Sequence, residues 1–354
     1  MQIAARVAAE LLTEGARAGI FSGAQAAWCA GKERRLEVAC AGATRTAGGA
    51  PIDDGTLFDV ASLTKLFTAG AVLRLCERGA IRLDDALAGR LPELTGTPQS
   101  RAVLEQVLAH EAGFAPWAPL FESIAPGVRG TDAGRAPLLA ALAACPPASS
   151  PDGVARYSDL GFIALGVWIE RAAGAGLDEV VAAEVTGPLG LSSARFHPTA
   201  ACAATAKCPW RGRELVGEVH DDNARAMGGV AGHAGIFSTA ADVARLGAAW
   251  LDALAGAGRW VSRRAAEVAT LRRPSGRGLG FDLALEEGSS AGALMGHRTF
   301  GHLGFTGCSL WVDPEAECAV ALLTNRVHVG EDLAAIRAFR PRFHDALMRA
   351  LFER

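Results

Sequence analysis

The chain has 354 residues, of which half are hydrophobic and about a fifth are charged. This composition predicts a folded protein of one large domain or two closely packed ones, and it excludes a disordered or fibrous chain. The net charge of -3, with arginines scattered along the chain, provides no basic surface for a phosphate backbone. A nucleic-acid partner is therefore not expected.

The first predicted element is an amphipathic helix over residues 1–19. Arg6, Glu10 and Arg17 interrupt its apolar positions, so no secretory signal core forms. The longest apolar run, 160–169, has the length of a core helix and is too short for a membrane span. The sequence as written therefore predicts a cytoplasmic chain without a membrane span, although a periplasmic or exported protein trimmed of its leader would read the same.

Strand patterns lie near both ends of the chain. Residues 23–31 and 35–43 alternate and predict two strands, and 57–62 is a third extended piece. A helix follows and ends at Gly79. From about 81 to 250 the Ala/Leu-rich sequence predicts helices and long loops. Antiparallel strands return from 277, and a final helix is predicted over about 331–352.

This order of elements predicts an α+β fold. The sheet, flanked by helices, would be built from residues 1–80 and 250–354, and residues 81–249 would form an inserted, mostly helical domain. A cleft between the two is the expected place for an active site.

The first candidate for chemistry is the stretch Ser62-Leu63-Thr64-Lys65. If a helix begins near Ser62, positions i and i+3 share one face, and the serine meets the positive end of the helix dipole. The lysine would then be a proton acceptor for the serine, or a charge that stabilises another base. Only Lys32, Lys65 and Lys207 are lysines among 35 basic residues, and lysine, unlike arginine, can give up its proton.

The second candidate is Tyr157, the single tyrosine of the chain. Phenylalanine, of which there are 14, would fill apolar space equally well, so the hydroxyl is the informative group. That hydroxyl can pass a proton.

The third candidate is the glycine-rich strand region 300–314. Gly301 and Gly304 bracket His302, which indicates a close approach of backbone to a ligand. Backbone N–H groups at such an edge can hold an oxyanion.

Together, Ser-x-x-Lys, Tyr-x-Asp and His-x-Gly resemble the serine β-lactamase and penicillin-binding-protein superfamily, in the branch with class C β-lactamases, D-amino-acid peptidases and esterases. Residues 107–117, 157–166 and 220–246 are also similar to that family. The resemblance implies a β-lactamase/transpeptidase-like fold with the active site between its two lobes.

The resemblance also implies roles for individual residues. Ser62 would be the acylated nucleophile, Lys65 its proton partner and Tyr157 the general base or proton shuttle. His302 and Gly304 would fall on the family's third motif, and the oxyanion would be held by the backbone N–H groups of Ser62 and Phe305.

Two departures from the family pattern lead to hypotheses. Asp159 stands where the lactamases usually have asparagine, and a carboxylate beside Lys65 favours the ammonium form. We therefore expect Lys65 to stay protonated and Tyr157 to take the serine proton as a stabilised phenolate, although the sequence leaves open which of the two is the base. His302 replaces a lysine and is largely neutral at pH 7, which favours esters, or amides without a carboxylate, as substrates.

The remaining motifs predict neither a metal site nor a cofactor. His110-Glu111 begins like a zinc motif whose second histidine is missing, and His220, Asp221 and His233 lack metal-ligand spacing. We expect His233 to line the cleft or support a loop. No nucleotide-binding glycine motif is present.

The sequence thus predicts a cofactor-free serine hydrolase that acts through an acyl-enzyme on small ester or amide substrates, β-lactam-like or D-amino-acid ones included. A true class C-type β-lactamase or DD-peptidase is the alternative within this class. From another class, a penicillin-recognising binding protein without turnover is the alternative. The oligomeric state does not follow from the sequence.

Overall fold

The centre of the molecule is a six-stranded antiparallel sheet made from both ends of the chain. The computed structural model describes residues 2–208 and 211–352. The strands of the sheet are β1 (Gly23–Ala30), β2 (Leu36–Gly42), β7 (Asp282–Leu283), β8 (Phe300–Leu303), β9 (Ser309–Asp313) and β10 (Cys318–Thr324). In space they follow the order β2-β1-β10-β9-β8-β7.

Two small sheets and the helices complete the described residues. The small sheets pair β3 (Phe58–Asp59) with β6 (Phe237–Ser238), and β4 (Ala204–Cys208) with β5 (Arg213–Val216). The helices are α1 (Gln2–Arg17), α2 (Thr64–Glu77), α3 (Leu104–Leu108), α4 (Asp132–Ala144), α5 (Asp159–Ala173), α6 (Leu177–Val181, continued by a π-helical turn over Ala182–Thr186), α7 (Asp222–Ala226), α8 (Ala240–Leu254), α9 (Arg263–Thr270), α10 (Arg326–Val329) and α11 (Ala334–Phe352).

The large sheet is covered by helices on both faces. Because side chains alternate along a strand, Ala27 of β1 packs in the cluster that contains α8, whereas Ala26 and Trp28 pack with α1 and α11. A Cβ at Gly247 of α8 would lie 2.9 Å from the Cβ of Ala319 in β10, so this glycine lets the helix approach the sheet closely.

Helix α2 lies inside the molecule, and its residues from Thr64 to Leu73 are all buried. A helix that is buried on every side needs partners all round, which α2 finds in the π-helical turn after α6, in α5 and in Trp260. A single 3-10 turn, Ala61–Leu63, joins β3 to α2. The first residues of α2 are therefore held in place by packing on every side.

The predicted α+β fold is confirmed, with its sheet built from the two ends of the chain. Three details differ. The hairpin of β4 and β5 lies in the region expected to be helices and loops, the strand expected from 277 is only Asp282–Leu283, and a short helix that was not expected, α10, precedes the predicted final helix, which is α11. The short alternating runs of this hairpin lie within an Ala-rich sequence, which masks their period.

The division into a sheet domain and a helical domain stays a prediction, and its second boundary needs correction. The expected break between residues 249 and 250 falls inside α8, which packs on the sheet. We therefore place this boundary before residue 240.

No single helix among the described residues has the length and apolar character needed to cross a membrane. The bent pair Asp159–Ala173 and Leu177–Thr186, at 81°, meets that test only jointly.

Candidate active site

Ser62 lies at a sharp turn between a strand and a buried helix. The chain leaves β3 through Val60, and Ala61 takes the left-handed conformation with φ of 47°, which is unfavourable for a residue with a Cβ. The carboxylate of Asp59 accepts a hydrogen bond from the Ala61 N–H at 2.9 Å and thereby stabilises this turn. The turn places Ser62 two residues before Thr64, the first residue of α2, where the helix dipole favours negative charge.

The side chains of Ser62, Lys65, Tyr157 and Asp159 form one hydrogen-bonded cluster. The Lys65 Nζ donates to Ser62 Oγ at 2.9 Å, to Tyr157 Oη at 2.7 Å and to Asp159 Oδ1 at 2.7 Å. The Tyr157 hydroxyl also donates to Ser62 Oγ, at 2.8 Å. A candidate nucleophile, a hydroxyl, an ammonium and a carboxylate are therefore in direct contact.

The N-terminus of α5 positions Tyr157 and Asp159. Ser158 caps this helix by accepting a hydrogen bond from the Gly161 N–H, and its own hydroxyl donates to the Ala115 carbonyl at 2.6 Å. The Asp159 N–H donates to the Pro116 carbonyl at 2.9 Å. The segment 107–117 therefore holds the Tyr-x-Asp motif in place.

The hairpin of β8 and β9 forms the wall opposite α5. His302 of β8 is buried, and its ring centre lies 5.9 Å from that of Tyr157. The Gly304 N–H donates to the Cys308 carbonyl at 2.7 Å and closes the hairpin loop. A Cβ at Gly304 would lie 2.6 Å from the Val60 carbonyl, so only glycine permits this loop to lie so close to the Ser62 turn.

The two N–H groups expected to hold the oxyanion belong to this turn and this loop. Outside the regular helices and strands of the described chain, neither the Ser62 nor the Phe305 backbone N–H donates to a backbone carbonyl. The Thr306 hydroxyl donates to the Asp59 carbonyl at 2.7 Å and ties the loop to the strand that leads to Ser62. These contacts link the two N–H groups to one rigid framework.

The cluster opens into a cavity of about 880 Å³. Ser62, Tyr157, Asp159, His233, His302, Gly304 and Phe305 line it. Lys65 lies beneath the cavity wall and is fully buried. The exposed rings of Trp117 and Phe305 form part of the wall.

The sequence matches one protein family over nearly its full length: the family model described as Beta-lactamase covers residues 5–340. The chain belongs to the Beta-lactamase family. The resemblance noted from its motifs is thereby confirmed, and so is its assignment as a serine hydrolase related to β-lactamases, with small ester, amide or β-lactam substrates as the family's class.

Similar proteins carry several names within this family. A putative D-alanyl-D-alanine carboxypeptidase of Escherichia coli (strain K12) is 29% identical over 307 residues, which are 77% of this chain and 70% of the relative. The hydrolase EstCE1, described as having promiscuous acyltransferase activity, matches the fold with a TM-score of 0.76 at 20% identity, over 96% of this chain and 99% of its own. A class C β-lactamase mutant has a TM-score of 0.74 at 17% identity, over 96% of both chains.

The charge state of Lys65 in this Beta-lactamase family member follows from its surroundings. Burial lowers the pKa of Lys65, but the charge of Asp159 and the hydrogen bonds to Asp159 and Tyr157 oppose burial, and the pKa is raised above its usual range. Lys65 is therefore an ammonium at neutral pH, as the sequence predicts.

The prediction that Tyr157 is a phenolate before the reaction is wrong. Burial raises the pKa of Tyr157, and the charge of Lys65 only partly opposes it. The physical reason is that Asp159 already neutralises the ammonium, so an ionised Tyr157 would put a second negative charge on the same cation. At neutral pH Tyr157 is a phenol.

His302 is neutral, as expected from its type, and its burial strengthens this state. Burial lowers the pKa of His302 to about 4, against the weaker opposing charge of Asp282. The Nδ1–H donates to the Leu303 carbonyl at 2.8 Å, which leaves the buried Nε2 as an acceptor without a protein partner. The third motif thus contributes no positive charge to the cavity.

His233 lies at the cavity and supports both a loop and Lys65. Its Nε2 lies 2.8 Å from Asp221 Oδ1, and its backbone carbonyl accepts from Lys65 Nζ at 3.4 Å. Burial alone would raise the pKa of Asp221, but the His233 charge and hydrogen bond outweigh it and the pKa falls to about 2. Within 2–208 and 211–352, no three His, Cys, Asp or Glu side chains are grouped as metal ligands.

Sequence reasoning missed the role of His110, which it considered only as part of an incomplete zinc motif. The Ser158 N–H donates to His110 Nδ1 at 3.0 Å, and the ring packs on Tyr157 with 4.7 Å between ring centres. Burial holds the pKa of His110 well below its usual range, so the ring is neutral and supports Tyr157 without adding charge. The family-like segment 107–117 was the available signal.

Proposed function

We propose that this protein hydrolyses small uncharged esters and amides through an acyl-enzyme on Ser62. The observation that carries the proposal is the contact of Ser62 Oγ with both Lys65 Nζ, at 2.9 Å, and Tyr157 Oη, at 2.8 Å. Ser62 lines a cavity that is large enough for a small molecule. A nucleophile in reach of two proton-transfer groups is the arrangement that acyl transfer requires.

Asp159 takes up the proton that acylation releases from Ser62. Because Lys65 is already an ammonium, it can take the Ser62 proton only if it passes one of its own to Asp159 Oδ1, 2.7 Å away. As the Oγ–carbon bond forms, the carbonyl electron pair moves to the substrate oxygen and the proton of Ser62 moves to the Lys65–Asp159 pair. Asp159 then holds one proton and the oxyanion holds the negative charge.

Collapse of this intermediate needs a proton on the leaving group. The Tyr157 hydroxyl gives its proton to the leaving oxygen or nitrogen and is reprotonated by Lys65 Nζ, 2.7 Å away, which takes the proton back from Asp159. The acyl–oxygen bond to Ser62 remains and the side chains regain their resting charges. In deacylation, water attacks the acyl carbon and its proton moves to the Lys65–Asp159 pair. The bond between Ser62 Oγ and the acyl carbon then breaks, and Tyr157, 2.8 Å from this oxygen, returns a proton to it and is reprotonated by Lys65.

The part of the cavity wall around His302 favours uncharged substrates. His302 is neutral and provides no cation for a substrate carboxylate. The Trp117 and Phe305 rings, about half and two-fifths exposed, provide apolar surface for an acyl or leaving group. We therefore expect short acyl esters to be turned over faster than carboxylated β-lactams.

A D-alanyl-D-alanine carboxypeptidase activity is the second candidate. Its supporting observations are the names of the relatives and Arg337, an exposed cation in the cavity wall. A substrate carboxylate within reach of Arg337 would gain an ion pair.

One panel of substrates tests the proposal. The wild-type chain and Ser62→Ala are assayed with p-nitrophenyl butyrate, nitrocefin and a D-alanyl-D-alanine peptide. The proposal predicts the highest kcat/KM for the ester and loss of all activity in Ser62→Ala. Release of D-alanine from the peptide that is faster than ester hydrolysis, and slower in Arg337→Ala, would favour the carboxypeptidase. Nitrocefin turnover that is faster than ester hydrolysis would favour a β-lactamase. A stable adduct without turnover would favour a binding protein.

A further inference from the structure

A buried arginine, Arg340 of α11, binds the loop that follows β8. Its Nη2 donates to the carbonyls of Gly304 and Cys308, both at 2.8 Å, and its Nε donates to the Gly307 carbonyl at 3.3 Å. Only 4% of Arg340 is exposed. Three carbonyls of one five-residue loop, 304–308, thus share a single guanidinium.

Arg340 has no counter-ion in the described chain. Its interactions are with carbonyl dipoles, and burial, with the nearby charges of Arg326 and Arg337, lowers its pKa to about 10. The guanidinium remains positive at neutral pH. A buried charge without an opposite charge is unfavourable for folding, and such groups concentrate at functional sites.

The carbonyl of Gly304 belongs to the same peptide unit as the Phe305 N–H. This carbonyl accepts from Arg340 Nη2 and also from the Gly307 N–H, at 3.0 Å. Donors on a carbonyl oxygen draw electron density from the peptide and make its N–H a stronger donor. The same contacts fix the direction in which the Phe305 N–H points.

We propose that Arg340 is a positioning residue of the oxyanion hole, which orients and polarises the 304–305 peptide so that the Phe305 N–H binds the developing negative charge. This rests on the proposed function, because it assumes an acyl transfer at Ser62. Arg340 acts through the peptide and does not contact the substrate oxygen. Since the charge develops only in the transition state, Arg340 contributes to kcat and little to KM.

Arg326 provides a matched control in the same loop. It is equally buried, and its Nε donates to the Phe305 carbonyl at 3.1 Å. That carbonyl belongs to the next peptide unit, whose N–H is that of Thr306. Arg326→Met therefore removes a carbonyl-bound arginine from the loop without removing the donor on the 304–305 peptide.

The test compares full-length Arg340→Met, Arg340→Lys and Arg326→Met with the wild type. Hydrolysis of uncharged p-nitrophenyl butyrate gives kcat and KM. The infrared carbonyl stretch of the acyl-enzyme formed from carbonyl-labelled p-nitrophenyl trimethylacetate reports the strength of the oxyanion hole. Hydrogen bonds to this carbonyl lower its frequency, so the readout is specific to the hole.

We expect Arg340→Met to lower kcat about tenfold or more, below the 10²–10³ typical of removing a donor outright, with KM within about twofold. Its acyl carbonyl stretch should move to higher frequency. Arg340→Lys, which keeps the charge but lacks the fork of donors, should give a smaller shift, and Arg326→Met should leave the frequency unchanged.

An unchanged frequency in both Arg340 variants would overturn the inference, as would an equal shift in Arg326→Met. A change confined to KM would also overturn it, because it would indicate direct substrate contact. If Arg340→Met fails to fold, the lysine variant decides. Failure of the wild-type chain to form an acyl-enzyme on Ser62 would refute the proposed function instead.

Discussion

Replacing Asp159 by asparagine tests the charge pair on which the proton path depends. Lys65 Nζ and Asp159 Oδ1 are 2.7 Å apart, with the lysine fully buried and the carboxylate 20% exposed. At an effective dielectric constant of about 20 their attraction is about 6 kcal/mol, which offsets the several kcal/mol needed to desolvate the ammonium. Asp159→Asn removes the attraction and leaves the desolvation, so we expect unfolding free energy to fall by about 3 kcal/mol near pH 6.5.

The pH dependence of this loss identifies its cause. The raised pKa of wild-type Lys65 stabilises the fold fully below the pKa of the unfolded chain, and this contribution is lost only as pH rises through the folded pKa. In Asp159→Asn burial dominates and the folded pKa falls, so the variant gains stability with rising pH by up to about 1.4 kcal/mol per unit. The difference in unfolding free energy between Asp159→Asn and the wild type should therefore become smaller between about pH 6.5 and pH 9.5, by at least about 1 kcal/mol and at most about 4 kcal/mol.

Urea unfolding at both pH values measures this difference. Asp282→Asn is the matched control, because it removes a carboxylate from Arg277, which does not deprotonate. Its loss should be the same at both pH values. If the decrease in unfolding free energy caused by Asp159→Asn is also the same at both pH values, Asp159 does not keep Lys65 protonated and the proposed proton path is wrong.

Three further substitutions test other parts of the site. Tyr157→Phe keeps the ring but removes the hydroxyl 2.8 Å from Ser62 Oγ, so kcat/KM for p-nitrophenyl butyrate should fall about 10²–10⁴-fold; a loss below tenfold would contradict its role as proton donor. His302→Lys adds a cation to the cavity wall, and the nitrocefin-to-ester ratio of kcat/KM should rise about tenfold, the effect of about 1.4 kcal/mol; an unchanged ratio would show that charge does not set this preference. Gly304→Ala places a Cβ 2.6 Å from the Val60 carbonyl, and the displaced loop should lower kcat about 10²-fold; wild-type kcat would show that the loop position is not critical.

Much of the fold follows from sequence patterns because its main strands alternate and its main helices are long. β1 and β2 lie within the predicted runs 23–31 and 35–43, and β8, β9 and β10 lie in the region from 277 where antiparallel strands were expected. The hairpin Ala204–Cys208 and Arg213–Val216 was missed because few residues of each strand show a period. The extent of the strand at Asp282–Leu283 depends on its pairing with β8, which no local pattern specifies.

The candidate site was predictable where residue type limits chemistry. Ser62 and Lys65, three residues apart at the turn into α2, are in contact, and the single tyrosine of the chain is Tyr157, which contacts both. The charge state of Tyr157 was not predictable from the sequence. It depends on burial and the charge of Asp159, which raise the pKa of Tyr157, and on the charge of Lys65, which lowers it. Arg340 gave no signal, since its partners are backbone carbonyls, which have no sequence signature.

The measurement that tests the central claim most directly is the intact mass of the full chain mixed with p-nitrophenyl trimethylacetate. The account predicts a gain of one acyl group, mapped by peptide digestion to Ser62, and no gain in Ser62→Ala. An adduct that persists in Ser62→Ala, or ester hydrolysis that survives this substitution, would contradict the account.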